Sequence, residues 1–408
     1  MLDEQGHFDS HQSGSQWFLL PFICGPTFVA VNISMSYADL VGHSSMVFDG
    51  VRNAAYAEAI RKYVTPDSVV LDVGAGLGVL GLIAAAAGAR RVYLVEPESV
   101  VKGALEVAKR NGLDDRVVVL QGRIEDVEMP ERVDIITSVF TGNLLYSEDL
   151  LPSLFHARDK WLKPAGHLIP DMGELMAAPV SAPRLHEDAM GVWSVPHMGI
   201  DYGPLRRFAA NSIAYERRPT FLPEFLAEPR VLVSSDFVSA TQTDCDASAM
   251  FPVAVDADCS GIFAWIRIRL ADKWLGTGPM DPNVHWTPQL LLVDPELPVT
   301  AGEPLNFHLH RPAYGDWTWQ LQSAAGKRRQ STFMAQAHSI TDLQKLSPSH
   351  AARLNDRGQT AKDLLSRMTG EMTNEELAVY LLGAYPRQFL DRAAALAFVR
   401  GFSRKYSA

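Results

Sequence analysis

The chain has 408 residues, of which 47% are hydrophobic and 21% are charged, and its formal net charge is −10. This length suggests two or three domains, and the composition argues against long disordered or fibrous segments. The acidic balance disfavours a general nucleic-acid-binding protein. The three cysteines, Cys24, Cys245 and Cys259, have no metal-ligand spacing and argue against a disulfide scaffold. We therefore expect a globular cytoplasmic protein without a metal site or a nucleic-acid partner.

An apolar stretch near the N-terminus, Trp17–Ile33, needs a separate interpretation. Pro21 and Pro26 interrupt it, and no Lys or Arg precedes Arg52. A membrane span needs about 20 uninterrupted apolar residues, and a signal peptide needs a basic start. We expect neither, and we assign residues 1–36 to an N-terminal segment packed on the fold or on a partner subunit.

Strands and helices alternate at short intervals over residues 37–170, after an initial helical pattern at 37–63. The predicted strands are Ser68–Val73, Val92–Glu96, Val117–Leu120 and Val133–Thr137, and the predicted helices between them are Leu80–Ala87 and Val101–Asn111. Such alternation predicts a parallel sheet with crossover helices, that is, an α/β Rossmann-like domain.

The pattern changes after residue 170. Apolar strand patterns separated by Pro, Gly and Asp turns, without helices between them, predict an antiparallel β-barrel-like domain over 171–343. The clearest of these strands are Val231–Phe237, Gly261–Leu270, Gln289–Val293 and Leu305–His310. Residues 344–408 return to helical spacing, at Glu375–Leu382 and Asp391–Tyr406, and form a predicted helical C-terminal extension.

The clearest motif is a glycine-rich turn between the first predicted strand and the helix that follows it. Gly74, Gly76 and Gly78 follow Asp72, and glycine allows a tight turn and a close approach of backbone to a ligand. A dinucleotide site prefers GxGxxG, but Val79 occupies the last glycine position of that motif. The spacing GxGxG instead suits S-adenosylmethionine.

Two acidic residues at later strand ends support this interpretation. Glu96 ends the second strand, where a carboxylate can accept hydrogen bonds from both ribose hydroxyls. Glu125 follows the third strand and can accept from an adenine amino group. The alternative is a structural glycine turn beside solvated acids, but three features at successive strand ends favour a cofactor site.

The sequence also resembles the protein arginine methyltransferases over roughly residues 37–340. Met46, Asp49, Arg52 and Tyr56 are similar to the family's N-terminal helix, which covers the cofactor. The resemblance implies that Met46 contacts the cofactor and that Arg52 pairs with its methionine carboxylate.

The resemblance continues into the second domain. Residues 157–171 are similar to the segment that leads into the family's β-barrel, and Gly199–Tyr202 resembles the region of its dimerisation arm. The resemblance therefore implies a homodimer. Asn283–Trp286 resembles the family's threonine-histidine-tryptophan loop, with Val284 in place of threonine, and it implies that His285 meets Asp49.

One departure concerns the family's substrate loop, which carries two glutamates that hold a guanidinium. Here the second is kept as Glu148, whereas Val139 replaces the first, and Phe140 and Asn143 line the same predicted pocket with Trp286. A buried guanidinium needs acceptors, and valine provides none. We expect a less anionic pocket.

Our main functional hypothesis is therefore methyl transfer to a small-molecule acceptor. An electron-rich aromatic ring, methylated on an indole or phenol carbon in natural-product biosynthesis, would suit a pocket lined by Val139 and Phe140. Glu148, or His285 supported by Asp49, would remove a proton; the alternative for the His–Asp pair is a structural role, in which it pins the barrel to the N-terminal helix. The alternatives are N-methylation of free or peptidyl arginine with Glu148 alone, which predicts a weak substrate and a single methylation, and a non-catalytic cofactor-binding homologue.

Overall fold

The computed structural model of the protein describes residues 42–215 and 223–407. The predictions for residues 1–36 and for Cys24 lie outside the described residues. By their internal packing, the described residues divide into one unit that ends at Ala335 and a second that begins at Gln336, whereas the sequence placed this boundary after residue 343.

The first unit begins with two helices, α1 (Ser44–Val47) and α2 (Gly50–Tyr63). The sequence predicted one continuous helical region here. The break arises at Asp49, which is the N-cap of α2 and accepts a hydrogen bond from the backbone N–H of Arg52 at 2.9 Å. An N-cap residue leaves the helical conformation and satisfies a free backbone donor with its side chain.

A five-stranded parallel sheet follows, in the spatial order β3-β2-β1-β4-β5. Its strands are β1 (Val69–Val73), β2 (Arg91–Glu96), β3 (Val117–Gln121), β4 (Val133–Ser138) and β5 (Leu162–Ile169). The helices that cross between them are α3 (Val79–Ala86), α4 (Lys102–Arg110) and α5 (Leu151–Trp161). All five residues of β1 are buried, as expected for a central parallel strand covered on both faces. The Rossmann-like sheet predicted from the sequence is confirmed.

An antiparallel half-barrel forms the rest of the first unit. Its strands are β6 (Met172–Ser181), β7 (Ala214–Tyr215), β8 (Glu224–Phe225), β9 (Arg230–Asp236), β10 (Cys245–Pro252), β11 (Ala257–Leu270), β12 (Lys273–Gly276), β13 (Gln289–Val299), β14 (Pro304–Arg311), β15 (Thr318–Ser323) and β16 (Gly326–Ser331). One sheet has the order β10-β14-β15-β16 and the other β7-β13-β11-β6-β8. This confirms the predicted barrel-like architecture.

Two short helices lie within this second region, where the sequence analysis expected strands without intervening helices. They are α6 (Pro183–Met190) and α7 (Arg206–Ala209), and they follow β6 before the chain returns to the sheet at β7. Met190 of α6 is buried against strand residues such as Phe263. The expectation was wrong in this detail, because a single turn or two of amphipathic helix has too few residues to show a clear period.

The second unit is helical, as predicted. It contains α8 (Ile340–Leu346), α9 (Asp356–Arg367), α10 (Asn374–Ala384) and α11 (Arg392–Tyr406). It has a hydrophobic core of its own, built from Leu364, Leu377, Ala378, Leu381, Phe389, Ala395 and Val399. Across the residues that the structure describes, no helix has the length and apolar character needed to cross a bilayer.

Candidate active site

The glycine-rich turn lies at the carboxyl end of β1. Gly74, Gly76 and Gly78 have φ angles of +68°, +53° and +74°, a conformation that residues with a side chain rarely adopt. A Cβ atom on Gly74 would lie 2.1 Å from the ring of Phe140, so the backbone and this ring approach as closely as glycine allows. The turn therefore presents bare backbone beside the loop that follows β4.

Asp72 holds this turn against α3. Its buried carboxylate accepts the backbone N–H of Gly81 at 2.8 Å. Burial raises the pKa of Asp72 to about 7, and the negative charge of Glu96 adds to this rise, whereas the hydrogen bond from Gly81 opposes it. The contact in the structure is thus to the protein backbone, and a direct contact of Asp72 with the cofactor stays a prediction.

Glu96 ends β2 beside the same turn. One of its carboxylate oxygens accepts the backbone N–H of Gly76 and the other that of Glu98, each at 3.0 Å. A carboxylate has about four acceptor positions, so two bonds to the backbone leave capacity for two hydroxyl groups. The backbone bonds fix the orientation of Glu96, and its binding to a ribose diol stays a prediction.

Glu125 follows β3 at the next position along the sheet edge. It accepts a hydrogen bond from the Ser153 hydroxyl and pairs with Arg123 at 3.3 Å. Burial by itself raises the pKa of Glu125, but the bond from Ser153 and the charge of Arg123 outweigh that effect, and the pKa is lowered. Glu125 is therefore ionised at neutral pH and able to accept a further hydrogen bond.

Arg52 is the most informative side chain of the site. It is 2% exposed, and its Nη2 donates to the carbonyl of Met46 at 2.7 Å and to Asn53 at 2.8 Å. Its Nη1 is buried and has no hydrogen-bond partner among the described residues. A buried donor left unpaired costs about 1–3 kcal/mol, and more when it is charged. An anionic group of a ligand would complete the hydrogen bonding of Arg52.

Met46, which the sequence analysis placed at the cofactor, contributes a backbone carbonyl to this arrangement. The structure shows that carbonyl orienting Arg52 and, at 3.2 Å, Asn53. Together, an unpaired guanidinium nitrogen, a glycine turn and two carboxylates at successive strand ends fit S-adenosylmethionine, which carries a carboxylate, a ribose diol and an adenine amino group.

The predicted pairing of His285 with Asp49 is present. One carboxylate oxygen of Asp49 accepts the backbone N–H of His285 at 2.8 Å and lies 3.2 Å from His285 Nδ1. Burial lowers the pKa of His285 to about 4, with the positive charge of Arg52 acting in the same direction. His285 is therefore neutral near pH 7, its Nδ1–H is directed to Asp49, and its Nε2 carries the lone pair.

Asp49 thus connects two parts of the site, because it caps α2 at the backbone N–H of Arg52 and holds the loop at His285. The ring of Trp286 lies 4.6 Å from that of His285 and 5.9 Å from the guanidinium carbon of Arg52. This geometry gives the His–Asp pair a clear structural role. A catalytic role for either residue stays a prediction.

The loop after β4, residues 139–150, carries the predicted acceptor residues. Val139 is half-buried and packs against the hydrophobic core, and Phe140 is buried against Gly74. Asn143 accepts the backbone N–H of Thr287 at 2.9 Å and so ties this loop to the segment that carries His285. The structure brings all of these residues to one edge of the parallel sheet.

Glu148 differs from the other acids of the site. Within the part of the chain that the structure describes, its carboxylate has no hydrogen-bond or ion-pair partner, and burial raises its pKa. The residue is nevertheless exposed to solvent, so neighbouring atoms crowd its carboxylate without enclosing it. Glu148 is available to bind a cationic ligand.

Two residues of this region were missed by sequence reasoning. Asp149 follows Glu148 directly, and Arg311 of β14 binds it at 2.8 and 2.6 Å. No local signal identifies this pair, because the two residues are 162 positions apart.

Comparisons with known proteins agree with this geometry. Residues 70–166 match the family of the methyltransferase domain. Protein arginine N-methyltransferase 6 of Xenopus laevis is 34% identical over 276 residues, which cover 64% of this chain and 81% of that protein. Probable protein arginine N-methyltransferase 6 of Arabidopsis thaliana is 42% identical over 176 residues, which cover 43% of this chain and 40% of that protein.

Solved structures show the same fold. A chain of the Trypanosoma brucei PRMT1 enzyme-prozyme heterotetrameric complex with AdoHcy superposes with a TM-score of 0.66 at 24% identity, over 72% of this chain and 99% of that one. Arabidopsis thaliana protein arginine methyltransferase 10, in an open conformation, superposes with a TM-score of 0.62 at 25% identity, again over 72% and 99%.

These comparisons overturn part of the functional hypothesis. The relatives are protein arginine N-methyltransferases, so C-methylation of an aromatic small molecule in natural-product biosynthesis, and the small-molecule partner expected with it, were wrong. Val139 changes one position of the predicted pocket, whereas the similarity to these relatives extends over 276 residues. Homodimerisation stays a prediction. The sequence, the fold and the cofactor site agree that this chain belongs to the protein arginine N-methyltransferase family of S-adenosylmethionine-dependent methyltransferases.

Proposed function

We propose that the protein methylates a guanidinium nitrogen of arginine in protein or peptide substrates, with Glu148 as the carboxylate that binds the guanidinium. The proposal rests on Glu148 in the loop after β4, whose carboxylate has no partner among residues 42–215 and 223–407. Support comes from relatives such as protein arginine N-methyltransferase 6 of Xenopus laevis.

The cofactor site has a simple task in this reaction. S-adenosylmethionine supplies an electrophilic methyl group on a sulfonium centre. Nη1 of Arg52 would bind the cofactor carboxylate, while Glu96 and Glu125 would bind the ribose and the adenine amino group. These residues fix the donor, so that catalysis depends mainly on where the protein holds the acceptor nitrogen.

Glu148 would hold that acceptor. A carboxylate binds a guanidinium through two parallel N–H···O bonds, which orient the plane of the cation as well as neutralising it. The raised pKa of Glu148 makes its carboxylate a better proton acceptor, so Glu148 can take up the proton that the nitrogen releases on methylation.

Val139 limits how fully the pocket can compensate the charge of a bound guanidinium. It packs on the core and provides no acceptor for the far side of the guanidinium. Because a cation in a pocket with one partner is only partly compensated, we expect a high KM for arginine substrates and a single methylation.

The test is methylation of arginine-containing peptides and of free arginine, with a lysine peptide as the negative control, followed by mass spectrometry. We expect a one-methyl product on the arginine peptide. Glu148→Gln should lower kcat/KM on the order of a hundredfold and leave the affinity for S-adenosylhomocysteine within about twofold, because this residue does not contact the cofactor in our proposal.

A matched control is Glu128→Gln, since Glu128 is an exposed acid that pairs with Lys160 at the surface. This variant should behave as wild type. The absence of any arginine product from wild-type protein that binds S-adenosylhomocysteine would refute the proposal, as would full activity of Glu148→Gln.

A further inference from the structure

An ion pair links the half-barrel to the loop that carries Glu148. Arg311, the last residue of β14, donates from Nη1 to Asp149 Oδ1 at 2.8 Å and from Nη2 to Oδ2 at 2.6 Å. The same Nη1 also donates to the carbonyl of Tyr146 at 2.8 Å. One guanidinium thus contacts the loop on both sides of Glu148.

The pair is built into the fold. Arg311 is 5% exposed, and its guanidinium carbon lies 5.6 Å from the centre of the Trp317 ring. Asp149 accepts a further bond from the backbone N–H of Tyr314 at 2.8 Å. A planar, bidentate Arg–carboxylate pair of this kind restricts orientation as well as distance.

The backbone of the loop requires such support. Asp149 has φ of +53° and Leu145 has φ of +66°, and non-glycine residues in this conformation persist only where their surroundings hold them. The hydrogen bond from Arg311 also lowers the pKa of Asp149, so its carboxylate stays ionised and paired. Asp149 is occupied, whereas the adjacent Glu148 has no partner in the described part of the chain.

We propose that Arg311 and Asp149 are positioning residues that aim the Glu148 carboxylate at the acceptor, an inference that rests on the proposed arginine methylation. Neither residue contacts the substrate. They fix the peptide units on either side of Glu148, so that its carboxylate meets the guanidinium in one orientation. A pocket with a single carboxylate has no second acid to correct a misplaced guanidinium, and small displacements at a reacting centre are costly.

The test compares Asp149→Asn, Arg311→Lys and Arg311→Gln with a control in a second Arg–Asp pair. Arg269 binds Asp171 at 2.8 and 3.2 Å at the start of the half-barrel, and Asp171→Asn removes a similar bidentate pair without touching the loop. The readouts are peptide kinetics, affinity for S-adenosylhomocysteine, and hydrogen–deuterium exchange of residues 144–150.

We expect the first three variants to lower kcat/KM for the arginine peptide at least tenfold and to increase exchange across residues 144–150. Affinity for S-adenosylhomocysteine should change less than twofold, and Asp171→Asn should resemble wild type in all three readouts. Arg311→Lys keeps the charge but loses the bidentate geometry, so it tests the orientation even if Arg311→Gln fails to fold.

A double-mutant comparison separates positioning from general stability. In a Glu148→Gln background, Asp149→Asn should cause little further loss, because the carboxylate that it positions is already absent. A full additional tenfold loss in that background would overturn the proposal, and so would unchanged exchange of residues 144–150.

The exchange measurement also distinguishes the two proposals. If wild-type protein methylates no arginine, the proposed function fails, and the positioning of Glu148 toward an arginine acceptor fails with it. Increased exchange of residues 144–150 in Asp149→Asn but not in Asp171→Asn would still show that the Arg311–Asp149 pair holds the loop.

Discussion

Two neighbouring acids in the loop after β4 differ in their hydrogen bonding. Asp149 is bound by Arg311 and by the backbone of Tyr314, and Glu148 has no partner among the described residues. The sequence shows that both residues are acidic, but it does not show which carboxylate is free to bind a ligand. At the residue scale, activity depends on which carboxylate the fold leaves free.

Val139 allows a direct test at this scale. Val139→Glu places a second carboxylate in the predicted pocket, and hydrogen bonds to charged groups contribute about 1.5–3 kcal/mol. We therefore expect kcat/KM for arginine peptides to rise at least about tenfold, measured by initial rates with peptide as the varied substrate.

The control for this variant is Val139→Gln, which adds similar volume without charge. A rise of equal size in both variants would show that the effect comes from shape and not from the second carboxylate. No rise in the glutamate variant would mean that position 139 does not face the guanidinium.

At the scale of single elements, the β1–α3 turn is the best-defined part of the site. Its glycines, the acid before them and the strand end are all within ten residues, so local sequence is sufficient to predict it. The loop after β4 is different, because its conformation depends on Asn143 bonding to Thr287 and on Asp149 bonding to Arg311.

Two glycines with similar backbone angles test the close approach in this turn. Gly74 and Gly112 have φ of +68° and +64°, but a Cβ on Gly74 would meet Phe140, whereas one on Gly112 would meet nothing within 4 Å. We expect Gly112→Ala to lower the free energy of unfolding by about 1 kcal/mol, the cost of the left-handed conformation.

Gly74→Ala should cost about 2–4 kcal/mol, since the clash with Phe140 adds to that conformational cost. It should also weaken S-adenosylhomocysteine binding at least tenfold, measured by calorimetry. Equal stabilities of the two variants, or unchanged binding in Gly74→Ala, would contradict the close approach.

On the scale of the whole molecule, the chain contains two units with separate cores. In the helical unit, Asp363 accepts hydrogen bonds from the hydroxyls of Tyr380 and Tyr385 at 2.8 and 3.0 Å, and from Arg367 Nε at 3.0 Å. The Asp363 carboxylate thereby connects α9 with α10 and with Tyr385, the residue that follows α10.

We expect Asp363→Ala to destabilise this unit by about 2 kcal/mol. Scanning calorimetry should show a lower transition for the helical unit, with the transition of the first unit and its S-adenosylhomocysteine affinity unchanged. Glu371→Ala, at an exposed acid of the same unit, is the control. A shift of both transitions by Asp363→Ala would mean that the two units do not unfold independently.

Local sequence is enough to specify the Rossmann-like sheet, the glycine turn and the acids at the strand ends, because each depends on a period or a spacing within a few residues. The resemblance to arginine methyltransferases correctly brought His285 to Asp49 across 236 positions. The acceptor was predicted wrongly, because Val139 was interpreted without the residues that surround it in the fold.

Whether a polar group has a hydrogen-bond partner depends on residues that the folded chain brings together. Arg52 Nη1 and Glu148 have no partner among the residues that the structure describes, whereas Asp149 pairs with Arg311, 162 positions away. The physical reason is that hydrogen bonding and burial are properties of the packed neighbourhood, which segments distant in the chain create together, whereas strands, helices and tight turns are largely specified where they occur.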